Sequence, residues 1–232
     1  MLFPMSELLK KAQAGRYAVP APNVWNEDSV RTVLRAAEAC NSPVILDCSF
    51  LESSFGNRAG DVMMEQMMYT VPWAQSSCVP VAINLDHGEA FSHAVTAIRA
   101  GFTSIMVDRS SLPFEENIAQ VTELTKVAHA VSVSVEAELG HVGDAGSYVQ
   151  DGSAYLTDPA QAEEYVARTG IDCLAVAVGT AHGAYSGTPR IDFERLDAIR
   201  RRVSIPLVLH GGSGTGDENL AQAVDVYKRQ IP

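Results

Sequence analysis

Runs of apolar residues alternate with amphipathic segments along the whole chain, as in proteins built from repeated strand and helix units. Capping residues mark helix boundaries: Ser6 and Gly15 are expected to bound the first helix, and Asp158 followed by Pro159 begins a later helix that ends at Gly170. The predicted strands comprise residues 17–23, 43–49, 79–86, 103–108, 131–139, 173–179 and 205–210. Because parallel strands need long crossover connections, this alternation predicts an α/β fold with a parallel sheet.

A polar side chain stands at or just after the end of every predicted strand. These side chains are Asn23, Ser49, Asp86 with His87, Asp108, Glu136 with Glu138, His182 and His210. In a TIM barrel the carboxyl ends of the strands converge on one mouth, where active sites are built, whereas an open sheet would spread them along a line. Any one of these residues could simply cap its own loop, but their succession favours a barrel.

Three of the strand ends share a motif in which an apolar run stops at histidine followed by glycine. The histidines are His87 in INLDHG, His182 in AVGTAHG and His210 in LVLHGGSG. Three neutral imidazoles with an open fourth position form the ligand set of catalytic zinc, and each glycine would let the backbone approach a ligand. His93 and His129 fall on predicted helices and are interpreted as surface or packing residues.

Carboxylates accompany the histidines at the same strand ends. Glu136 and Glu138 share one face of their predicted strand, since side chains alternate, and two inward-facing carboxylates need a metal ion or another cation as partner. Asp86 directly precedes a proposed metal ligand and could support that ligand or act as an acid and base; its place at the mouth favours proton transfer. His141 is interpreted as an incidental loop residue rather than a substrate contact.

The segment LHGGSGTGDENL is rich in glycine and leads into a predicted helix. Backbone N–H groups in such a turn, together with Ser213, can bind an anion. Next to His210 this segment would place an anion beside a Lewis acid.

Composition limits the classes of function. The chain has 232 residues, of which 47% are hydrophobic, enough for one sizeable core. Its formal charge of −11 argues against a nucleic-acid partner but allows a phosphorylated substrate at a locally positive site. The N-terminus has no apolar run typical of a signal peptide or membrane span, and the four cysteines are scattered, so we expect reduced thiols and a cytoplasmic protein.

The chain is similar from about Ser6 to Val224 to the class II, zinc-dependent fructose- and tagatose-bisphosphate aldolases. The motifs that carry the resemblance are INLDHGEAF, AIRAGFTSIMVDRS, LPFEENI, VEAELG, YLTDPAQA, VAVGTAHGAYSGTPRIDFERL and PLVLHGGSG, in the family's order. The resemblance implies a TIM barrel and the reversible cleavage of a ketose 1,6-bisphosphate to glycerone phosphate and glyceraldehyde 3-phosphate. It also implies a cytoplasmic enzyme of glycolysis or related carbohydrate metabolism that forms a homo-oligomer, a dimer or tetramer, when full length.

The resemblance further implies roles for individual residues. Zinc is expected on His87, His182 and His210, with Asp108 and Glu138 as carboxylates of an alternate metal position. Asp86 is expected to exchange the proton of the C4 hydroxyl, and Asn23 and Ser49 to lie near the substrate. Part of the phosphate site, where Na⁺ or K⁺ also binds, is expected at Gly183, Gly211 and Ser213.

Three segments depart from the family pattern. The loop after ELG lacks the family's usual glutamate, so Asp144 is the expected second proton-transfer residue. The segment DCSFLESSFGNRAG is unlike the family's loop at this place, so the identity of the substrate stays open. After Val224 the chain reads DVYKRQIP where the family continues through a further strand. We therefore expect a TIM (β/α)8 barrel that lacks its eighth strand and final helix, in one domain over residues 1–232 with a non-native tail at 225–232.

The amino-acid sequence also allows two other functions. One is a barrel zinc hydrolase, in which the metal activates water. The other is a non-catalytic or inactive phosphosugar-binding fragment, since the expected open sheet edges would favour self-association.

Overall fold

Strands and helices alternate along the chain in the computed structural model, which describes residues 1–143, 156–185 and 189–228. The strands are β1 (Val44–Ser49), β2 (Val81–Gly88), β3 (Ser104–Val107), β4 (Ser134–Leu139), β5 (Cys173–Val176) and β6 (Leu207–Val208). The α-helices are α1 (Met5–Gly15), α2 (Glu27–Ala39), α3 (Glu52–Phe55), α4 (Ala59–Ser76), α5 (Phe91–Ala100), α6 (Phe114–His129), α7 (Pro159–Thr169), α8 (Phe193–Arg202) and α9 (Asp217–Lys228). A short 3₁₀ turn, Gly56–Arg58, precedes α4.

The six strands form one sheet in chain order, β1-β2-β3-β4-β5-β6, and the pairs β1/β2, β2/β3 and β5/β6 are parallel. This confirms the predicted parallel α/β fold. The predicted first strand, residues 17–23, is wrong as a strand, because only an isolated bridge joins Asn23 to Asp47. Pro20 and Pro22 accept hydrogen bonds through their carbonyl groups but have no N–H to donate, so the ladder cannot continue.

The predicted helix bounds are confirmed for α7 and for the end of α1 at Gly15, but Ser6 does not begin α1. The Asp158 side chain accepts hydrogen bonds from the backbone N–H groups at the start of α7, and Gly170 ends the helix in the left-handed conformation. Helix α1 instead begins after Pro4. The backbone N–H of Ser6 donates to Ser134 Oγ, 3.0 Å away, so Ser6 joins α1 to β4 rather than capping the helix.

The first of two compact units contains residues 1–108 and 123–136. Its core is formed by aliphatic residues of β1, β2 and β3, among them the fully buried Leu46, Ile83 and Ile105. Burial of each such side chain contributes about 1.5–3 kcal/mol to folding. Helix α2 packs against α4, and α5 packs against β2 and β3.

The second unit contains residues 109–122 and 137–232. Its core includes Leu174 of β5 and Leu196 and Ile199 of α8, all fully buried, and α8 packs against α7 and α9. Helix α9 continues to Lys228, and its Val226 is buried. The predictions of a single domain and of a tail at 225–232 stay predictions. No helix in the described ranges is both long and apolar enough to span a membrane.

Candidate active site

Asp86 is fixed by two hydrogen-bond donors at the carboxyl ends of the first strands. Its Oδ2 accepts a hydrogen bond from Asn23 Nδ2 at 2.6 Å and another from Ser49 Oγ at 3.1 Å. Parallel pairing places Ser49 opposite Asp86 in the β1/β2 register, and the bridge to Asp47 places Asn23 beside β1. Three residues predicted from strand ends are therefore brought together, and two neutral donors orient one carboxylate oxygen.

His87 lies in an irregular part of β2. Its φ of +47° is in the left-handed region, which is uncommon for a residue with a Cβ, and the β2/β3 register shifts between Leu85 and Gly88. The ring Nδ1 lies 2.7 Å from Asp108 Oδ2, and Nε2 lies 3.7 Å from Asp86 Oδ1. The structure thus orients this imidazole with a carboxylate on Nδ1, which is the usual second contact of a metal-binding histidine.

Below the strand ends, the same unit contains a buried polar cluster. Asn84 Nδ2 donates to Asp47 Oδ1 at 3.1 Å and to Glu136 Oε2 at 3.3 Å, and Glu136 is only 2% exposed. The sequence predicted a metal ion or another cation as the partner of Glu136, but the Asn84 amide provides one of its hydrogen bonds. Asn84 was not among the predicted residues. It lies on β2 two positions before Asp86, and in a strand that spacing places two side chains on the same face.

A small cleft of about 100 Å³ adjoins Asn23 and Ser49, the two residues that donate hydrogen bonds to Asp86. It is lined by Asn23, Val24, Trp25, Ser49, Leu51 and Gln66. The Trp25 side chain is 64% exposed, whereas Gln66 is buried and its Nε2 donates to the backbone carbonyl of Val24 at 3.0 Å. Sequence reasoning did not identify this cleft. The signals available were an aromatic residue two positions after Asn23 and the unusual segment that contains Leu51.

Cys48 lies within the same strand as Ser49 but is chemically inert in this setting. Burial raises the pKa of its thiol well above the ordinary value, and the neighbouring carboxylates of Asp47 and Asp86 raise it further. The protonated thiol is a poor nucleophile. Cys48 therefore contributes packing, not covalent chemistry.

His182 and His210 lie close together in the second unit. Their ring centroids are 5.6 Å apart, and the backbone N–H of His182 donates to the carbonyl of Gly143 at 2.8 Å. The glycine after His210 permits a close backbone contact. A Cβ on Gly211 would lie 2.4 Å from the carbonyl oxygen of Ala181, so its missing side chain lets two loops of the protein approach one another.

Glu138 is fully buried at the end of β4 and belongs to the second unit. Its Oε1 accepts a hydrogen bond from the backbone N–H of Val142 at 2.8 Å and lies 3.9 Å from His141 Nδ1. The same ring nitrogen lies 2.8 Å from Ser110 Oγ. His141, which was interpreted as incidental, is thus fixed by its neighbours, although its side chain remains 42% exposed.

The residues expected around a phosphate follow His182 and His210 in sequence; Gly183 and Ser213 are exposed, whereas Gly211 is half-buried. Gly183 has a φ of +90° and open space where a Cβ would lie, and Ser213 is exposed in the turn before α9. Backbone N–H groups on such turns are available to an anion. Asp144, the expected second proton-transfer residue, lies outside the described residues.

Comparison with known proteins decides the family. The sequence profile described as fructose-bisphosphate aldolase class-II matches residues 3–229. The chain belongs to the class II fructose-bisphosphate aldolase family. It is 43% identical over 230 residues to a fructose-bisphosphate aldolase of Geobacillus stearothermophilus, and this match covers 99% of the chain and 79% of the relative. A probable fructose-bisphosphate aldolase of Bacillus subtilis (strain 168) is 40% identical over 230 residues, with 99% and 80% covered.

Solved structures of aldolases are similar in fold. The X-ray structure of the YdjI aldolase from Escherichia coli K12 matches with a TM-score of 0.84 and 35% identity, over 97% of this chain and 79% of that one. A putative fructose-1,6-bisphosphate aldolase from Coccidioides immitis matches with a TM-score of 0.83 and 31% identity, over 95% and 77%. The family consists of lyases of carbohydrate metabolism, so the chain is a class II aldolase by descent.

Proposed function

We propose that this chain is a zinc-dependent aldolase that reversibly cleaves a ketose 1,6-bisphosphate, fructose or tagatose, to glycerone phosphate and glyceraldehyde 3-phosphate. The observation that carries the proposal is the Asp86 carboxylate, held by Asn23 and Ser49 one residue before His87. A carboxylate with one oxygen fixed and the other directed toward a metal-binding histidine is suited to proton transfer beside a metal. Family membership supplies the reaction class.

The fold that we propose is a TIM barrel. The six-stranded parallel sheet in chain order and the TM-score of 0.84 to an aldolase support it. In such a barrel the carboxyl ends of all strands, β1 to β6 included, open on one mouth. The candidate residues lie at these ends, which is where barrel enzymes place their chemistry.

We propose His87, His182 and His210 as the ligands of the zinc ion. Imidazole nitrogens suit zinc, and a catalytic site uses three protein ligands with one open position. Two observations fit this set: the carboxylate on His87 Nδ1, which would leave Nε2 for the metal, and the proximity of the His182 and His210 rings. Asp108 and Glu138 are proposed as carboxylates of an alternate metal position, and Asp108 in addition orients His87.

The chain's own residues move the protons. Asp86 takes the proton of the C4 hydroxyl during cleavage and returns it during condensation, while Asn23 and Ser49 keep its carboxylate in place. Asp144 is proposed for the second proton transfer, at the carbon released when the C3–C4 bond breaks. Zinc, when bound, supplies Lewis-acid stabilisation of the negative charge that develops on the ketose oxygens.

Gly183, Gly211 and Ser213 are proposed to form part of the phosphate site. Gly183 and Gly211 have positive φ, as in backbone turns that present N–H groups to an anion, and the exposed Ser213 hydroxyl adds a donor. A monovalent cation, Na⁺ or K⁺, is proposed beside them. From the family we also propose a cytoplasmic enzyme of glycolysis that acts as a homo-oligomer.

Direct assay of the purified protein tests the proposal. Cleavage of fructose 1,6-bisphosphate and tagatose 1,6-bisphosphate is followed by coupling the triose phosphates to NADH oxidation, with and without prior removal of metal by a chelator. We expect triose phosphate formation that depends on zinc. Release of inorganic phosphate without triose phosphates would identify a hydrolase instead, and binding of a bisphosphate without turnover would identify a non-catalytic protein.

A further inference from the structure

The Tyr185 hydroxyl joins the two loops that carry His182 and His210. Tyr185 Oη accepts a hydrogen bond from the backbone N–H of Ala181 at 2.6 Å. It lies 2.7 Å from the carbonyl oxygen of Ala181 and 2.9 Å from that of Gly211, so its single proton is shared between two carbonyl groups. Ala181 precedes His182 and Gly211 follows His210, so one phenol contacts the backbone next to both imidazoles.

Close backbone packing makes this contact stiff. Gly211, with a φ of +68°, lies so near Ala181 that a Cβ would be 2.4 to 2.8 Å from the oxygen, carbon and nitrogen of that residue. The Tyr185 ring covers the next turn, since a Cβ on Gly214 would lie 3.3 Å from its Cδ2. The phenol therefore rests against the glycine-rich turn that contains Ser213, while its hydroxyl bonds to both histidine loops.

We propose that Tyr185 is a positioning residue that sets the spacing of the His182 and His210 imidazoles. The inference rests on the proposed function in one respect, because the two imidazoles are the proposed zinc ligands. Tyr185 acts through backbone hydrogen bonds and needs no contact with metal or substrate. Gly183 and Gly211, each next to one of the histidines, have positive φ, and the Tyr185 hydrogen bonds add to the close backbone packing that limits the relative shift of the two segments.

The variant Tyr185→Phe isolates the hydroxyl, since it keeps the ring against Gly214. We expect the backbone amide of Ala181 to exchange its hydrogen faster in the metal-free protein, because its acceptor is removed. We expect zinc affinity, measured by competition with a chromophoric chelator, to fall roughly 10- to 100-fold, the usual effect of losing a group that orients metal ligands. The visible spectrum of the Co²⁺-loaded protein should shift as well, since it reports ligand geometry.

Tyr165→Phe is the matched control in the same unit. Tyr165 is fully buried and its hydroxyl donates to Asn117 Oδ1, so this variant also loses one buried hydroxyl contact but leaves both histidine loops intact. Circular dichroism establishes that each variant is folded. We expect Tyr165→Phe to lower stability while zinc affinity and the Co²⁺ spectrum stay at wild-type values.

The outcomes separate the inference from the proposed function. Wild-type zinc affinity and Co²⁺ spectrum in Tyr185→Phe would overturn the positioning role, even if stability falls. An equal loss of zinc affinity in Tyr165→Phe would also overturn it, because the effect would then be one of general stability. If the wild-type protein binds no zinc, the proposed function fails, and Ala181 amide exchange in the metal-free chain decides the positioning role: unchanged exchange in Tyr185→Phe refutes it.

Discussion

Replacing Asp86 by asparagine separates proton transfer from the architecture of the site. The amide oxygen of the new side chain can still accept the hydrogen bonds that Asn23 and Ser49 now donate to Asp86 Oδ2. In the wild-type protein Asp86 Oδ1 faces His87. In the variant an NH₂ group takes the place of this oxygen, and it cannot accept a proton. We therefore expect a folded protein that keeps its zinc but loses roughly 100- to 10,000-fold in kcat, or about 2.7 to 5.5 kcal/mol of barrier.

The assay for this variant follows the cleavage of fructose 1,6-bisphosphate and, separately, the exchange of the C3 protons of glycerone phosphate with deuterated water. Glu89→Gln is the control, since it makes the same change of carboxylate to amide at an exposed residue three positions away. Cleavage should fall in Asp86→Asn alone, whereas proton exchange, which involves no C4 hydroxyl, should fall far less. Unchanged cleavage would show that Asp86 has a structural role only.

Three further predictions concern the metal, the thiols and pH. In His182→Ala, elemental analysis should find most of the zinc lost, and full retention would contradict the three-histidine ligand set. Alkylation of the native protein followed by mass spectrometry should modify the exposed Cys40 and Cys78 but not the buried Cys48, whose raised pKa keeps it protonated; rapid labelling of Cys48 would show that β1 opens. Hydrogen bonds from a serine hydroxyl and a backbone amide lower the pKa of Glu38, so its contribution to stability is present above its unfolded-state pKa and is lost as pH falls through the lower folded pKa. Urea titrations should therefore show wild type more stable than Glu38→Gln at pH 7, with the difference vanishing in acid; a difference independent of pH would refute this.

The fold was largely predictable because it depends on short-range patterns. Apolar runs of strand length and capping pairs such as Asp158 with Gly170 reflect local chemistry, and the structure contains both. The failure at residues 17–23 has an equally local cause, since Pro20 and Pro22 cannot donate to a ladder. Apolar character alone outweighed this signal in the prediction of a strand.

For the site, the sequence predicted candidate residues but not their contacts. Strand ends in a parallel sheet lie together, and this rule associates Ser49 with Asp86, whereas Asn23 reaches them through an isolated bridge to Asp47. Their mutual contacts could not be predicted, because a hydrogen bond depends on rotamers and on register. Tyr185 shows the limit most clearly: its hydroxyl reaches Gly211, twenty-six residues away, through a loop approach that no local pattern encodes.

The adjacency of Asp86 and His87 poses a geometric problem that the irregular strand resolves. In a regular strand, consecutive side chains point to opposite faces, so a proton-transfer residue and a metal ligand at neighbouring positions could not serve one site. The left-handed backbone of His87, with a φ of +47°, and the register shift before Gly88 break this alternation. Asp86 can then accept a hydrogen bond from Ser49 of β1 while His87 lies beside Asp108. Such a backbone conformation costs about 1–3 kcal/mol, and a charge-assisted hydrogen bond like that to Asp108 returns about 1.5–3 kcal/mol. The two ranges are similar in size, so the hydrogen bond can offset the strain, and the position of the strained residue next to Asp86 supports the proposal that this end of β2 belongs to the reaction centre.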